Sequence, residues 1–254
     1  MTTILPNIDS PELFFGFVGA VGANLQPTMD AFETYFSTAG YKVEIIQITD
    51  AFKILNNRIN LPVTLEFQPE YKRIRTHIEY GNQLRSYFDN QSIMATIAIA
   101  DISSKRNYRK NVPPESLFRK TVFLLRQFKR KEEIELLRSV YGRLFFQISI
   151  YSRRNARVEA LSRKFAETEN SADANRYRAF AEELVQIDED EIGTKHGQQV
   201  GKIFHDADLI VNTDSKRPSA NEQVNRFCEL IFGSNCISPT KHEYGMFLAK
   251  AAAL

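Results

Sequence analysis

The stretch LFFGFVGAVGANLQPTMDAFETYF, residues 13–36, decides the fold. It begins with a short apolar run, passes through Gly16, Gly19 and Gly22, and ends in a segment whose aromatic residues recur at helical spacing. A buried strand that turns through glycines into a helix is typical of an α/β domain with a parallel sheet. The stretch therefore predicts a strand, a tight turn and a helix, in that order.

The same order of elements is found in the phosphate-binding P-loop, which ends in a lysine followed by Ser or Thr. Leu25 and Gln26 occupy those two places here. Backbone N–H groups of such a turn form a concave anion site, while the lysine and the hydroxyl act on the transferred phosphate and on Mg²⁺. We therefore expect nucleotide binding without efficient phosphoryl transfer. The alternative is that the glycines only permit a tight, closely packed turn.

Apolar segments alternate with helical patterns along the rest of the chain. This alternation predicts a three-layer α/β fold, with a mostly parallel sheet and helices on both faces. The predicted strands are 13–18, 41–48, 94–99, 121–128, 144–151 and 208–211. The main predicted helices after the first are 71–90, 132–141, 155–165, 174–185 and 221–232. The loops between them are too short to separate independent domains.

Composition narrows the class of protein. The 254 residues include 33 basic and 31 acidic side chains, so the net charge of +2 does not by itself require nucleic acid or a membrane as partner. No apolar run approaches the roughly 20 residues of a membrane span, and the N-terminus lacks a signal-peptide pattern. We expect a soluble, cytoplasmic protein in which Cys228 and Cys236 are free thiols.

The C-terminal segment has the beginning of a helix but no end. Ser238 or Thr240 is placed to cap it, and Glu243 falls in its first turn. The chain then runs GMFLAKAAAL without the glycine or basic last turn that commonly ends a helix. This pattern predicts that the natural protein continues past Leu254.

Five segments carry a resemblance to a known family. The chain resembles the N-terminal P-loop kinase-like region of two-domain anti-phage dCTP deaminases in FGFVGAVGANL, YGNQLR, VFLLRQFKRKEEIELLRSVYGRLFFQISIYSRR, HGQQVGKIFHDADLIVN and NRFCELIFGSNCISPTKHEYGMFLAKAAAL. The resemblance implies a nucleoside/nucleotide kinase-like domain at 1–237. It also implies that 238–254 begin the helix leading into a C-terminal, zinc-dependent deaminase domain absent from this chain. That family deaminates deoxycytidine nucleotides during phage infection and so depletes dCTP.

The chain itself lacks the deaminase zinc motif. Such enzymes need H-x-E and P-C-x-x-C, which supply the zinc ligands and a proton-transferring glutamate. Only His77 with Glu79 matches the first half, and Cys228 and Cys236 do not match the second. We therefore assign no catalytic residue and no metal ligand to this chain, and expect Zn²⁺ only in the missing domain.

The resemblance and the glycine turn together predict a regulatory nucleotide-binding domain. Its ligand would be a nucleotide, with Mg²⁺ as an optional companion. Its partners would be its own deaminase domain, a small regulatory RNA or protein antitoxin, and further copies of the chain in a homo-oligomer. Asn82 is a candidate for contacting the base and Arg85 for contacting a phosphate. The full set of candidate nucleotide-binding residues is Gly16, Gly19, Ala20, Val21, Gly22, Ala23, Asn24, Asn82, Arg85, Arg126 and Arg154.

Two other functions fit the sequence. The domain could be an active nucleotide kinase whose missing lysine is replaced by Arg85 or Arg126. It could instead bind RNA or protein through the basic band 106–131, in which aromatic residues alternate with Lys and Arg. Most other basic residues after strand ends, and the acidic run 188–191, are predicted to be solvated rather than to bind a ligand or Mg²⁺.

Overall fold

The structure, a computed structural model, describes residues 10–107, 120–190, 197, 200–214 and 218–252. Its strands are β1 (Leu13–Gly19), β2 (Lys42–Gln47), β3 (Thr121–Phe128), β4 (Phe145–Tyr151) and β5 (Leu209–Asn212). They form one sheet in the order β2-β3-β1-β4-β5, and every neighbouring pair is parallel.

Helices connect these strands and cover both faces of the sheet. Their bounds are α1 (Gln26–Thr38), α2 (Asp50–Asn56), α3 (Glu70–Tyr87), α4 (Ile93–Asn107), α5 (Lys131–Tyr141), α6 (Arg154–Thr168), α7 (Arg178–Asp190), α8 (Val200–Ile203), α9 (Ala220–Ile231) and α10 (Lys241–Ala252). One apolar layer joins the sheet to α1 and α9, and a second joins it to α3, α4, α5 and α8. A third cluster joins α6 to α7.

Strand β1 lies in the centre of the sheet, and all seven of its residues are buried. Side chains alternate between the two faces of a strand. Phe15 and Phe17 therefore pack in the α1 layer, whereas Phe14 and Val18 pack in the α5 layer. A strand covered on both faces needs a continuous apolar run, which is what residues 13–18 provide.

These observations confirm the predicted fold class. The sheet is parallel, helices cover both faces, and a glycine turn joins the central first strand to the first helix. The chain thus has a three-layer α/β fold with an all-parallel sheet.

One predicted strand is wrong. Residues 94–99 belong to α4, not to a strand. Met94, Ala95, Ala98 and Ile102 are buried at helical spacing against the sheet. A short apolar run that is buried on most sides has the same composition in a helix as in a strand, so its periodicity could not separate the two.

The predicted helix 71–90 is found as α3, which continues through Gly81 and Arg85. Gly81 packs against Met94. A Cβ added to Gly81 would lie 3.5 Å from the Met94 Cε.

Part of the predicted basic band, including Tyr108 and Phe118, lies outside the described residues. Within the described ranges, no helix combines the length and hydropathy needed to span a bilayer.

Gly16 allows two phenylalanine rings to pack closely against β1. A Cβ on Gly16 would lie 2.6 Å from Phe145 Cζ and 3.3 Å from Phe128 Cδ2. Both rings are buried, so neither can move without disturbing its own neighbours.

We predict that Gly16→Ala lowers the free energy of unfolding by about 1–3 kcal/mol, because the core is overpacked. Urea denaturation measures this difference. The control is Gly245→Ala in α10, where an added Cβ meets no described atom within 4 Å. That variant should match the wild type or gain up to about 1 kcal/mol from helix propensity. Equal stability of Gly16→Ala and wild type would contradict the packing argument.

Candidate functional site

A cavity of about 550 Å³ lies at the carboxyl ends of β1, β2 and β3. Its walls come from the turn after β1, the end of β2, helices α3 and α6, and the segment 126–129 at the end of β3. Open parallel sheets bind their ligands at this edge, outside the carboxyl ends of the strands. The cavity is therefore the candidate site.

The glycine turn forms one wall of this cavity. Gly22 has φ of +86°, and a Cβ there would lie 2.9 Å from the Arg157 carbonyl oxygen. Only glycine fits both that backbone conformation and that contact. The N–H of Ala23 donates to the carbonyl of Ala20 at 3.0 Å and closes the turn. Gly16, which we had grouped with this turn, lies inside β1 and does not line the cavity.

The two places that hold lysine and a hydroxyl in an active P-loop have other roles here. Leu25 is 3 % exposed and packs with Met29 and Phe32 in the α1 layer. Gln26 donates its side-chain amide to Asp30 at 2.7 Å. The turn thus has neither the usual cation nor the usual hydroxyl ligand, and these residues do not fit a P-loop Mg²⁺ site.

Basic side chains dominate the polar part of the lining. They are Arg73, Arg85, Arg126, Lys129 and Lys164. Among the described residues that line the cavity there is no Asp or Glu. A concave site lined by charges of one sign attracts ligands of the opposite sign. The cavity is therefore suited to an anion.

Arg85 is held at the cavity by a buried carboxylate. Its Nη2 donates to Glu133 Oε1 at 2.8 Å, and the two side chains are 4 % and 0 % exposed. Glu133 Oε2 also accepts the backbone N–H groups of Lys129 and Arg130, at 2.8 and 3.0 Å, at the start of α5. The Nε of Arg85 is buried and has no hydrogen-bond partner among the described residues. A buried donor without a partner fits a site that binds an anion.

Glu70 holds two further cations of the lining. It accepts from Arg73 at 2.5 and 2.7 Å and pairs with Lys164 at 2.6 Å. Burial raises the pKa of the Glu70 carboxyl, but the bonds from Arg73 and Lys164 outweigh it, so the pKa lies below its ordinary value. Burial also lowers the pKa of His77, which is therefore neutral at pH 7 and donates from Nδ1 to the Arg73 carbonyl at 2.7 Å.

Lys129 contacts the glycine turn directly. Its Nζ donates to the Gly19 carbonyl at 2.8 Å and pairs with Asp188 Oδ1 at 2.9 Å. Asp188 Oδ2 accepts the Val21 N–H at 2.7 Å. We had predicted a solvated loop at Asp188, but this residue lies in α7 and is 3 % exposed. Neither Lys129 nor Asp188 was among the residues predicted to form the site.

The structure brings some predicted site residues together and separates others. The cavity lining includes Ala20, Val21, Gly22, Ala23, Asn24, Arg85 and Arg126. Gly19 touches the site through its carbonyl group, which accepts from Lys129. Asn82 accepts from Arg85 Nη1 at 3.0 Å and does not line the cavity. Arg154 is exposed, donates to Gln186 at 3.3 Å, and also lies outside the lining.

The described part of the basic band is not one continuous surface. Phe123 is fully buried in β3. Arg106 pairs with Glu12, and Arg130 is 3 % exposed and donates to the Gly197 carbonyl at 2.6 Å. Phe123 and Arg130 therefore do not contribute to an exposed surface, whereas Lys120 and Lys131 are exposed.

Comparisons with known proteins add little to this geometry. No model of a protein family matches the sequence, and no curated protein matches it. A shikimate kinase from Acinetobacter baumannii, in complex with shikimate, has a TM-score of 0.40 at 9% identity over 90% of this chain and 96% of its own. A gluconokinase from Sinorhizobium meliloti 1021 has a TM-score of 0.36 at 10% identity over 89% and 98%. At these values the similarity carries no information on substrate or activity.

Metal binding has no support in the described side chains. In that part of the chain, no group of three or more His, Cys, Asp or Glu side chains is arranged to hold a metal ion. His77, whose spacing to Glu79 matched half of a zinc motif, instead donates to the Arg73 carbonyl within α3.

We predict that Glu133→Ala lowers the free energy of unfolding by about 3–5 kcal/mol, because Arg85 is left buried without its partner. The control is Glu135→Ala on the same helix, whose side chain is 60% exposed and pairs with the equally exposed Lys131. That variant should cost at most about 1 kcal/mol. Urea denaturation at neutral pH compares them, and similar costs would refute the role given to Glu133.

Proposed function

We propose that this chain binds a nucleotide through its phosphates and acts as a regulatory domain rather than as a catalyst. The observation that carries the proposal is the lining of the cavity, which has five basic side chains and, among the described residues, no carboxylate. The carboxylates that neutralise these cations, such as Glu70 and Glu133, are not part of that lining. Ligand phosphates can therefore approach Arg73, Arg85 and Lys164 without meeting a carboxylate of the described lining.

The remaining lining suits the rest of a nucleotide. Phe52, Ile74, Ile78 and Met94 supply apolar surface against which a base can pack. Thr49 and other polar residues at the end of β2 offer hydrogen-bonding groups. A volume of about 550 Å³ lies within the range of about 300–1,000 Å³ found for small-molecule sites.

The same site argues against phosphoryl transfer. Catalysis of this reaction depends on cations placed around the transferred phosphate, and on Mg²⁺. Leu25 is in the core and Gln26 is bonded to Asp30. For the alternative of an active kinase we had named Arg85 or Arg126 as the replacement cation. Lys129 is a better candidate, because it lines the cavity and its Nζ contacts the turn at the Gly19 carbonyl. Formation of a nucleoside diphosphate from ATP and dCMP would favour that alternative.

We further propose that the domain regulates a deaminase to which it is joined. The sequence resemblance supports this, and so does α10, in which Tyr244, Met246, Phe247 and Leu248 are 49–73 % exposed. Four large apolar side chains on one short helix suit burial by a following domain. The parent protein would deaminate dCTP or dCMP in the cytoplasm and deplete dCTP during phage infection.

Partners other than the deaminase domain have weaker support. A regulatory RNA would need an exposed basic surface. In the described part of the basic band, Phe123 and Arg130 are buried and Arg106 is paired with Glu12, whereas Lys120 and Lys131 are exposed. A protein antitoxin or a homo-oligomer remains compatible with the exposed face of α10.

We predict that the chain binds dCTP and that Arg126→Ala weakens binding by about 1.5–3 kcal/mol, roughly tenfold to a hundredfold. Among the described residues Arg126 has no ion-pair partner, so its removal leaves no buried charge behind. Isothermal titration calorimetry with a panel of dNTPs and NTPs measures the effect. Arg154→Ala is the matched control, since Arg154 does not line the cavity, and its affinity should equal that of the wild type.

Two results would count against this site. Absence of binding at about 1 mM ligand would reject nucleotide binding altogether. Loss of affinity in Arg154→Ala, with none in Arg126→Ala, would place the ligand outside the cavity.

We also predict that the parent gene continues after the codon for Leu254 and encodes H-x-E followed by P-C-x-x-C. Sequencing the gene tests the motif, and an assay of ammonia release from dCTP by the longer product tests the activity. A continuation without those motifs would reject the link to a deaminase while leaving nucleotide binding by residues 1–237 intact.

A further inference from the structure

We infer that the Asp188 carboxylate occupies the phosphate position of the glycine turn, and that Lys129 serves this turn as the cation that Leu25 cannot provide. A polyphosphate that reaches the turn must therefore displace Asp188. The inference rests on the proposed function, because it concerns how the same cavity accepts its anionic ligand.

The geometry supports a carboxylate in place of a phosphate. Both oxygens of Asp188 are bonded, one to the Val21 N–H at 2.7 Å and the other to Lys129 Nζ at 2.9 Å. A phosphate on a P-loop uses the same two kinds of donor, a backbone N–H of the turn and a lysine ammonium. Lys129 comes from the end of β3, but its Nζ also donates to the Gly19 carbonyl, which places it at the turn.

Burial makes the two anions compete. Asp188 is 3 % exposed and Lys129 is 9 % exposed, so the pair is largely removed from water. A second negative charge beside Asp188 would face a like charge in a region that water screens poorly. A phosphate and the Asp188 carboxylate cannot both hold the Val21 N–H and Lys129.

The rest of the turn is also bonded within the protein. Arg157 Nη1 donates to the Val21 carbonyl at 3.3 Å, so Val21 is held through both its N–H and its C=O. By contrast, Arg73 and Lys164 lie on α3 and α6 and are held by Glu70, not by Asp188. A ligand whose anionic group contacts only these two helices leaves Asp188 in place, and one that extends to the turn does not.

The test compares Asp188→Asn with wild type, using inorganic tripolyphosphate as the probe in calorimetry. The amide keeps an acceptor for the Val21 N–H and removes the competing charge. We expect about a tenfold gain in affinity or more. Adding Lys129→Met to that variant should abolish the gain. Glu183→Gln, which removes an exposed carboxylate from the same helix, is the control and should match the wild type.

Each outcome has a defined meaning. If Asp188→Asn is folded and binds tripolyphosphate no more tightly than wild type, the inference is overturned while the proposed function stands. If neither chain binds tripolyphosphate or dCTP, both are overturned. A gain that survives Lys129→Met would remove the role given to the lysine.

A measurement on the wild-type chain covers the case in which Asp188→Asn does not fold. Amide hydrogen exchange of residues 184–188 is compared with and without saturating tripolyphosphate. Displacement of Asp188 should make these amides exchange faster, while amides of the turn become protected. Unchanged or slower exchange at 184–188 upon binding would show that Asp188 stays in place, and would overturn the inference.

Discussion

The structure depends on the burial of β1 from both sides. All seven residues of this strand are buried and are apolar or glycine, and each face is covered by a helical layer. Gly16 permits this packing by leaving room for Phe145 and Phe128. The same burial means that the turn after Gly19 emerges from the core directly into the cavity, where polar backbone groups of the turn need partners.

The charges around the cavity follow from that position at the edge of the core. Cations that are removed from water must be paired. Here Glu70 and Glu133 stand behind the lining, whereas Asp188 lies against the glycine turn. Glu133 holds Arg85, Glu70 holds Arg73 and Lys164, and Asp188 holds Lys129. The charged side chains of the described lining are therefore cationic, while carboxylates hold most of them in place. This arrangement suits binding of an anion more than transfer of one of its groups.

Much of the fold could be predicted from the sequence, but only part of the site could. Continuous apolar runs identified β1, β3 and β4 because buried parallel strands require them. The apolar run at 94–99 was wrongly predicted to be a strand, because a short buried helix segment has the same apolar composition as a buried strand. The turn was predictable from glycine spacing. The Lys129–Asp188 pair was not, because its members are 59 positions apart and only the packing of α7 brings them together.

Glu133 joins two parts of the protein that border the cavity. One of its oxygens holds Arg85 on α3, and the other accepts the N–H groups of Lys129 and Arg130 where α5 begins. Any ligand that shifts Arg85 must therefore alter the energy of the segment that carries Lys129. Where binding at the α3 wall and binding at the glycine turn are coupled through Glu133, thermodynamic linkage requires each to change the affinity of the other by the same factor.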